Sequence, residues 1–272
     1  MAIKEPQIFD SWDSFVTRAE ERPGRDGVYG SETFCLTPSF ESAVELARHG
    51  WGAMVAEAET VASWVEDKVE LERFAQGFRT VPSVCGQEVD VARYLGGDPE
   101  CMIDSLPVQI SKHGRAVRLI VPVGYLAAVS ANTAVKRGAA ILALVDLLKR
   151  AGHPCEIWAT SFADPTHTRT ARFFGAIRVQ RADQPIDVGQ LAFALAHPST
   201  FRRLMFAIRE QTTMYPDGGG ASATMELTQE AIDLLPEAEG NEIRLPTLTP
   251  GDNWSPEASV AWIETQLALI FD

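Results

Sequence analysis

Between Val117 and Phe162 the chain reads as strand, long helix, strand, and that order constrains the fold more than any other feature of the sequence. Val117-Arg-Leu-Ile-Val-Pro-Val-Gly-Tyr125 is a nearly unbroken apolar run, as a strand buried on both faces requires. Pro122 lacks a ladder donor and marks an edge, a bulge or a strand end. Asn132 or Thr133 can cap a helix over residues 134–151, which carries a wide apolar surface, ends in Lys149 and Arg150, and exits at Gly152. Residues 154–162 form the next apolar strand. Two strands joined by one helix of this length lie parallel, with a right-handed crossover. The expected class is therefore α/β, a mainly parallel sheet flanked by helices in three layers.

The hundred residues before this unit read differently, as short helices joined by polar turns. Asp10 can cap a helix running through Glu20, which Arg22-Pro-Gly-Arg-Asp-Gly27 ends. Ser39 precedes a helix over residues 40–49, where Phe40, Val44 and Ala47 share a face and Gly50 stands where a left-handed cap belongs. Residues 53–74 carry Met54, Val61, Trp64, Val65 and Leu71 at mostly helical spacing, the pattern of a long amphipathic helix. Residues 89–95 read as a short helix stopped by Gly96-Gly97-Asp98-Pro99. Beyond Phe162, residues 176–182 read as a third strand, Asp187 starts a helix over 188–196, and Pro198 opens another through Ile208. Residues 214–221, with three consecutive glycines, read as a flexible loop. A short helix from Thr228, a strand near Ile243 and a helix opened by Ser255-Pro256-Glu257 follow. The division expected is a helical N-terminal part over 1–105 and an α/β domain over 106–272, which can share one core.

Charge narrows the partners. With 24 Lys and Arg against 37 Asp and Glu in 272 residues, the net charge is −13. A polyanion is bound by cations that neutralise its phosphates, so nucleic acid is disfavoured as a ligand. The same acidity supports solubility, attracts a basic partner, or mimics nucleic acid against a host defence. No stretch approaches the ~20 apolar residues of a membrane span, and the first residues lack a secretory core, so a soluble cytoplasmic protein with no membrane partner is expected. Cys35, Cys85, Cys101 and Cys155 are widely spaced, which suggests reduced thiols rather than a zinc site or a disulfide framework.

Residues 40–51, 86–102, 137–148 and 191–203 resemble an uncharacterised family of bacterial and phage proteins, and these segments are spread across residues 40–210. That resemblance implies a bacterial or phage setting and brings no assigned activity. Residues 117–162, ending in Ala159-Thr-Ser-Phe162, are also similar to the opening of a von Willebrand factor A domain, the kind found in cobaltochelatase-like proteins that work beside ring ATPases. That family binds a divalent metal through an Asp-x-Ser-x-Ser loop after its first strand, and oxygen ligands suit a hard cation. Here the corresponding residues 121–130 hold no carboxylate and, besides Tyr125, the single hydroxyl of Ser130. No metal and no cofactor are expected. A Rossmann-like reading of the same pattern lacks the G-x-G-x-x-G turn a pyrophosphate needs.

No G-x-S-x-G, G-x-x-x-x-G-K-[ST] or H-E-x-x-H motif is present. The candidate binding residues are therefore argued from position. Asp164 and His167 follow the second parallel strand, at the end where open α/β sheets place ligands. His197 marks a helix break beside Arg202 and Arg203, which would hold an anion or a partner carboxylate if they faced outward and would satisfy carbonyls and acidic neighbours if they did not. Trp51 and Trp254 lie beside turns and are the tryptophans most suited to anchor an interface. The function expected is a non-enzymatic interaction or scaffolding protein whose partner is another protein, a ring ATPase or a second copy. The alternatives are a metal-assisted hydrolase without a familiar motif, using Asp164 and His167, and the nucleic-acid mimic.

Overall fold

The computed structural model describes residues 2–21, 31–54, 61, 78–86, 88–89, 91–107, 116–165, 171–213 and 222–271. The chain opens with strand β1 (Gln7–Phe9), helix α1 (Trp12–Glu21), the single turn α2 (Glu32–Cys35) and α3 (Phe40–His49). An excursion then carries β2 (Phe78–Ser83), β3 (Glu88–Val89), the short helix α4 (Val91–Leu95) and β4 (Met102–Pro107). The strand–helix–strand unit is β5 (Val117–Pro122), α5 (Ala131–Arg150) and β6 (Cys155–Pro165). After β7 (Phe173–Gln180) and α6 (Val188–Ala196), a π-helical stretch at Thr200–Met205 runs into α7 (Phe206–Glu210). The chain ends with β8 (Ser222–Thr224), α8 (Gln229–Ile232), β9 (Asn241–Arg244) and α9 (Pro256–Phe271).

Local chemistry sets several of these boundaries. The Ser39 hydroxyl accepts the Ser42 amide at 3.2 Å to start α3, and Gly50, at φ 82°, ends it. Asp187 caps α6 by accepting the Gln190 amide at 2.9 Å. The cap of α5 is Ser130, whose hydroxyl accepts the Thr133 amide at 3.0 Å, rather than the expected Asn132 or Thr133. Pro122 is the last residue of β5, where its missing donor costs no ladder bond, and the Val123 amide closes the strand onto Thr160 at 2.8 Å.

The main sheet runs β1-β7-β6-β5-β9, with β8 pairing to the far end of β6. It is mixed and mainly parallel: β5 is parallel to β6 and β9, and β1 is parallel to β7. The β7 strand, for which the sequence indicates no direction, runs antiparallel to β6. Seven residues separate the two strands, too few for the crossover a parallel pair requires, so the chain turns back.

The two faces of the sheet are covered unequally. Val117, Leu119, Val121, Ile157, Ala159 and Ile177 point into a continuous core built with α1, α3, α5, α6 and α9. On the other face Ile120, Trp158, Phe162, Phe174 and Ala176 lie under Ala231, Ile232 and Leu235, from α8 and its exit. Among the described residues that face carries one four-residue helix rather than the second helical layer a three-layer fold has. Its other end is a charge ladder running across the strands, Glu242, Arg118, Glu156 and Arg178.

Residues 78–107 also differ from expectation. Around α4 they form a small antiparallel sheet, ordered β2-β4-β3. Pro82 is tolerated because β2 pairs on one side alone. The expected helix over residues 53–74 and the glycine loop over 214–221 fall almost wholly outside the described residues; Gly52–Met54 forms one 3-10 turn.

Candidate functional site

Open α/β sheets bind ligands at the carboxyl ends of parallel strands. Here those ends are residues 123–130 after β5, the last residues of β6 and the loop after β9, and three buried arginines converge on them. Arg137, from α5, donates to the carbonyls of Pro122 and Pro246, each at 2.7 Å. Arg202 donates to Val129 and Phe34, each at 2.6 Å. Arg209 reaches the Ser161 hydroxyl at 2.6 Å. Backbone approach is also close, since a Cβ on Gly124 would stand 2.8 Å from Ser161 Oγ.

The π-helical stretch is what turns two consecutive arginines inward, and such stretches recur at functional sites. Arg203 Nε donates to the Thr37 hydroxyl at 2.8 Å, and its Nη2 donates to the Thr37 carbonyl at 2.8 Å. Ser199 Oγ donates to the Cys35 carbonyl at 2.6 Å and lies 2.7 Å from Thr37 Oγ1. Thr37 therefore donates to Ser199, and the chain of donors runs Arg203, Thr37, Ser199, Cys35 without a conflict. It holds the turn at residues 34–37, where Leu36 takes φ 58°, a left-handed conformation that costs a leucine about 1 kcal/mol.

Aromatic rings separate the charges. The Arg202 guanidinium lies 3.6 Å from the Phe34 centroid and 4.8 Å from that of Tyr125. Tyr125 packs on Phe201 at 5.4 Å, and Arg209 lies 4.9 Å from the Phe201 centroid. Burial lowers the Arg137 guanidinium to about 10 and raises the Tyr125 phenol to about 12. Three guanidiniums at this end of the sheet repel a cation. Among the described residues no group of three His, Cys, Asp or Glu side chains is arranged to hold one.

The residues singled out in the sequence are scattered. Asp164 ends β6 and pairs with Arg172 Nε at 3.0 Å, while its proposed partner His167 lies outside the described residues. His197 is buried, stacked on Phe193 at 4.8 Å and edge-on to Trp51 at 4.7 Å. Its Nδ1 accepts the Ser199 amide at 3.1 Å, and burial lowers its pKa to about 4. Arg202 and Arg203 face inward onto carbonyls and a hydroxyl. Trp51 and Trp254 are half-buried against the main core, Trp254 packing on Trp262 at 5.4 Å.

Tyr125, Arg137 and Arg209 had no motif to announce them. The signal Arg209 did carry is its place at the end of the apolar helical run Leu204-Met-Phe-Ala-Ile-Arg209; Arg137, beside Lys136, reads as an ordinary helix cation. At the opposite end of the strands a cavity of about 220 Å³ is lined by Arg118, Glu156, Arg178, Arg181 and Glu237. Its deepest charges are paired, Arg118 with Glu156 at 2.6 Å and Arg178 with Glu156 at 3.4 Å. None of the described helices is long and apolar enough to cross a membrane.

No curated protein and no solved structure matches the chain. A family model does, over residues 4–269, and the chain belongs to that family, described as a domain of unknown function, DUF7192.

Proposed function

We propose that this chain works by recognition, as a non-enzymatic interaction or scaffolding protein of bacterial or phage origin, in a cytoplasmic setting. Its fold is read as von Willebrand factor A-like, with the metal loop given over to packing. The observation that carries this reading is the apolar face of α4. Val91, Tyr94 and Leu95 stand at i, i+3 and i+4, which puts them on one side of the helix, and they are 63%, 65% and 78% exposed. Val84 and Val89 are exposed as well, so five large apolar side chains meet solvent within residues 84–95. Single exposed apolar residues are ordinary, whereas a group of this kind with an aromatic member has the make-up of an interface centre.

Charge selects the partner. Arg118, Arg137, Arg202, Arg203 and Arg209 are buried, and no Asp or Glu among the described residues is. The exterior is therefore more negative than the net charge of −13 indicates. A partner with an apolar pocket and a basic rim fits this surface, and a ring ATPase is the class that the resemblance suggests. A second copy of the chain would bring the same negative rim.

The test is co-purification from the organism that encodes the protein, with wild type and a Tyr94→Glu, Leu95→Glu double variant in parallel. One protein recovered in stoichiometric yield with wild type and lost from the variant supports the reading. Equal recovery with both, or no partner with either, overturns it.

A further inference from the structure

A buried cation ordinarily has a carboxylate beside it, because desolvating an uncompensated charge costs several kcal/mol. Arg118 follows the rule, with Glu156 at 2.6 Å and Glu242 at 3.7 Å. Arg202 does not. It is 4% exposed, its two terminal nitrogens donate to carbonyls, and its Nε has no partner among the described residues. The residue whose ring stacks on it repeats the pattern, for Tyr125 is 6% exposed and its hydroxyl has no partner either.

Two buried donors are thus left over on neighbouring side chains, at the carboxyl ends of the central strands, where no carboxylate among the described residues pairs with Arg202. A water molecule would satisfy the hydrogen bonds and leave the charge uncompensated. An anion satisfies both. Directly after Tyr125 comes the turn at residues 126–129, closed by the Val129 amide on the Leu126 carbonyl at 3.0 Å; Leu126, Ala127 and Ala128 are exposed, and Val129 supplies the carbonyl that holds Arg202.

We propose that the carboxyl ends of β5 and β6 bind a small oxyanion, a phosphate or carboxylate group, through Arg202 Nε and the Tyr125 hydroxyl, and that the turn at residues 126–129 yields to admit it. Because Arg202 also fastens Phe34 and Val129, bound anion stiffens the junction between the N-terminal segment and the sheet. The site uses no residue of α4 and does not depend on what α4 binds.

Thermal unfolding in increasing inorganic phosphate, with chloride holding ionic strength constant, tests this, and sodium acetate in a second series separates phosphate from carboxylate chemistry. Wild type is expected to show a saturable rise in Tm in at least one series. Tyr125→Phe removes one oxygen from a buried ring, so it folds, and its apparent affinity should fall about tenfold, the value of one hydrogen bond to a charged group. Arg202→Gln should lose the response altogether. A wild-type Tm indifferent to both anions, or an equal response in wild type and Tyr125→Phe, overturns the proposal.

Discussion

Arg202 donates from Nη2 to the carbonyl of Val129 at 2.6 Å, so a residue of the π-helical stretch clamps the turn that leaves β5. The other arm of the same guanidinium holds Phe34. A planar fork bridges two carbonyls in a way that an ammonium at the end of a flexible stem cannot. Arg202→Lys keeps the charge and leaves at least one buried carbonyl unpaired, so it should lower stability by about 2–3 kcal/mol in a denaturant titration. A loss below about 0.5 kcal/mol, the size of an ordinary surface substitution, would show that the clamp does not hold the turn.

His197 gives the protein a defined response to acid. Its folded pKa, about 4, lies below the ordinary value of 6.5, because charging the ring between Phe193 and Trp51 would strip it of water. The neutral form is the one that folds. Above about pH 6.5 the group therefore costs nothing; stability falls as pH drops from there towards 4, and the full loss, about 3 kcal/mol, is present below 4. Unfolding free energies measured between pH 7 and pH 4 should show this slope in wild type and lose it in His197→Phe, whose ring fills the same stack without a titrating nitrogen. An unchanged slope in the variant assigns the acid response elsewhere.

Gly138 lies inside α5, and Gly→Ala in a helix interior normally stabilises by about 1 kcal/mol. The structure reverses that sign. A Cβ there would stand 2.1 Å from Ala196 Cβ and 2.4 Å from its Cα, so α6 crosses α5 at this residue with no room to spare. Gly138→Ala should cost about 2–3 kcal/mol, read from the shift of the unfolding midpoint, through overpacking of the two helices. A stabilised variant would mean that the helices part more readily than their packing implies.

What the sequence made legible is what local pattern encodes. The β5-α5-β6 unit, the caps at Ser39 and Asp187, the exit at Gly50 and the break at His197 each rest on residues within a turn or a single periodic run. The misses are non-local. The edge strand β1 is three residues that acquire a partner 168 positions away, from Gln7 to Gly175. The pairing of β2 with β4 needs the chain to return across residues 84–101, and a six-residue run containing Pro82 announces no strand. The direction of β7 depended on a boundary, because a β6 that ends at Pro165 rather than Phe162 leaves no length for a crossover. The same holds for the site. Arg202 and Arg203 were legible as cations at a helix break, but the side they face is set by the π-helical stretch and by carbonyls of residues 34–37, more than 160 positions earlier.

The choice between recognition and metal-assisted hydrolysis rests on the charge at the carboxyl ends of β5 and β6. Calorimetric titration of the purified protein with Mg²⁺ and then Mn²⁺ measures it directly. Guanidiniums held by Pro122, Val129 and Ser161 predict no saturable heat with either ion. A one-to-one isotherm that Ser130→Ala or Asp164→Asn removes would contradict the account.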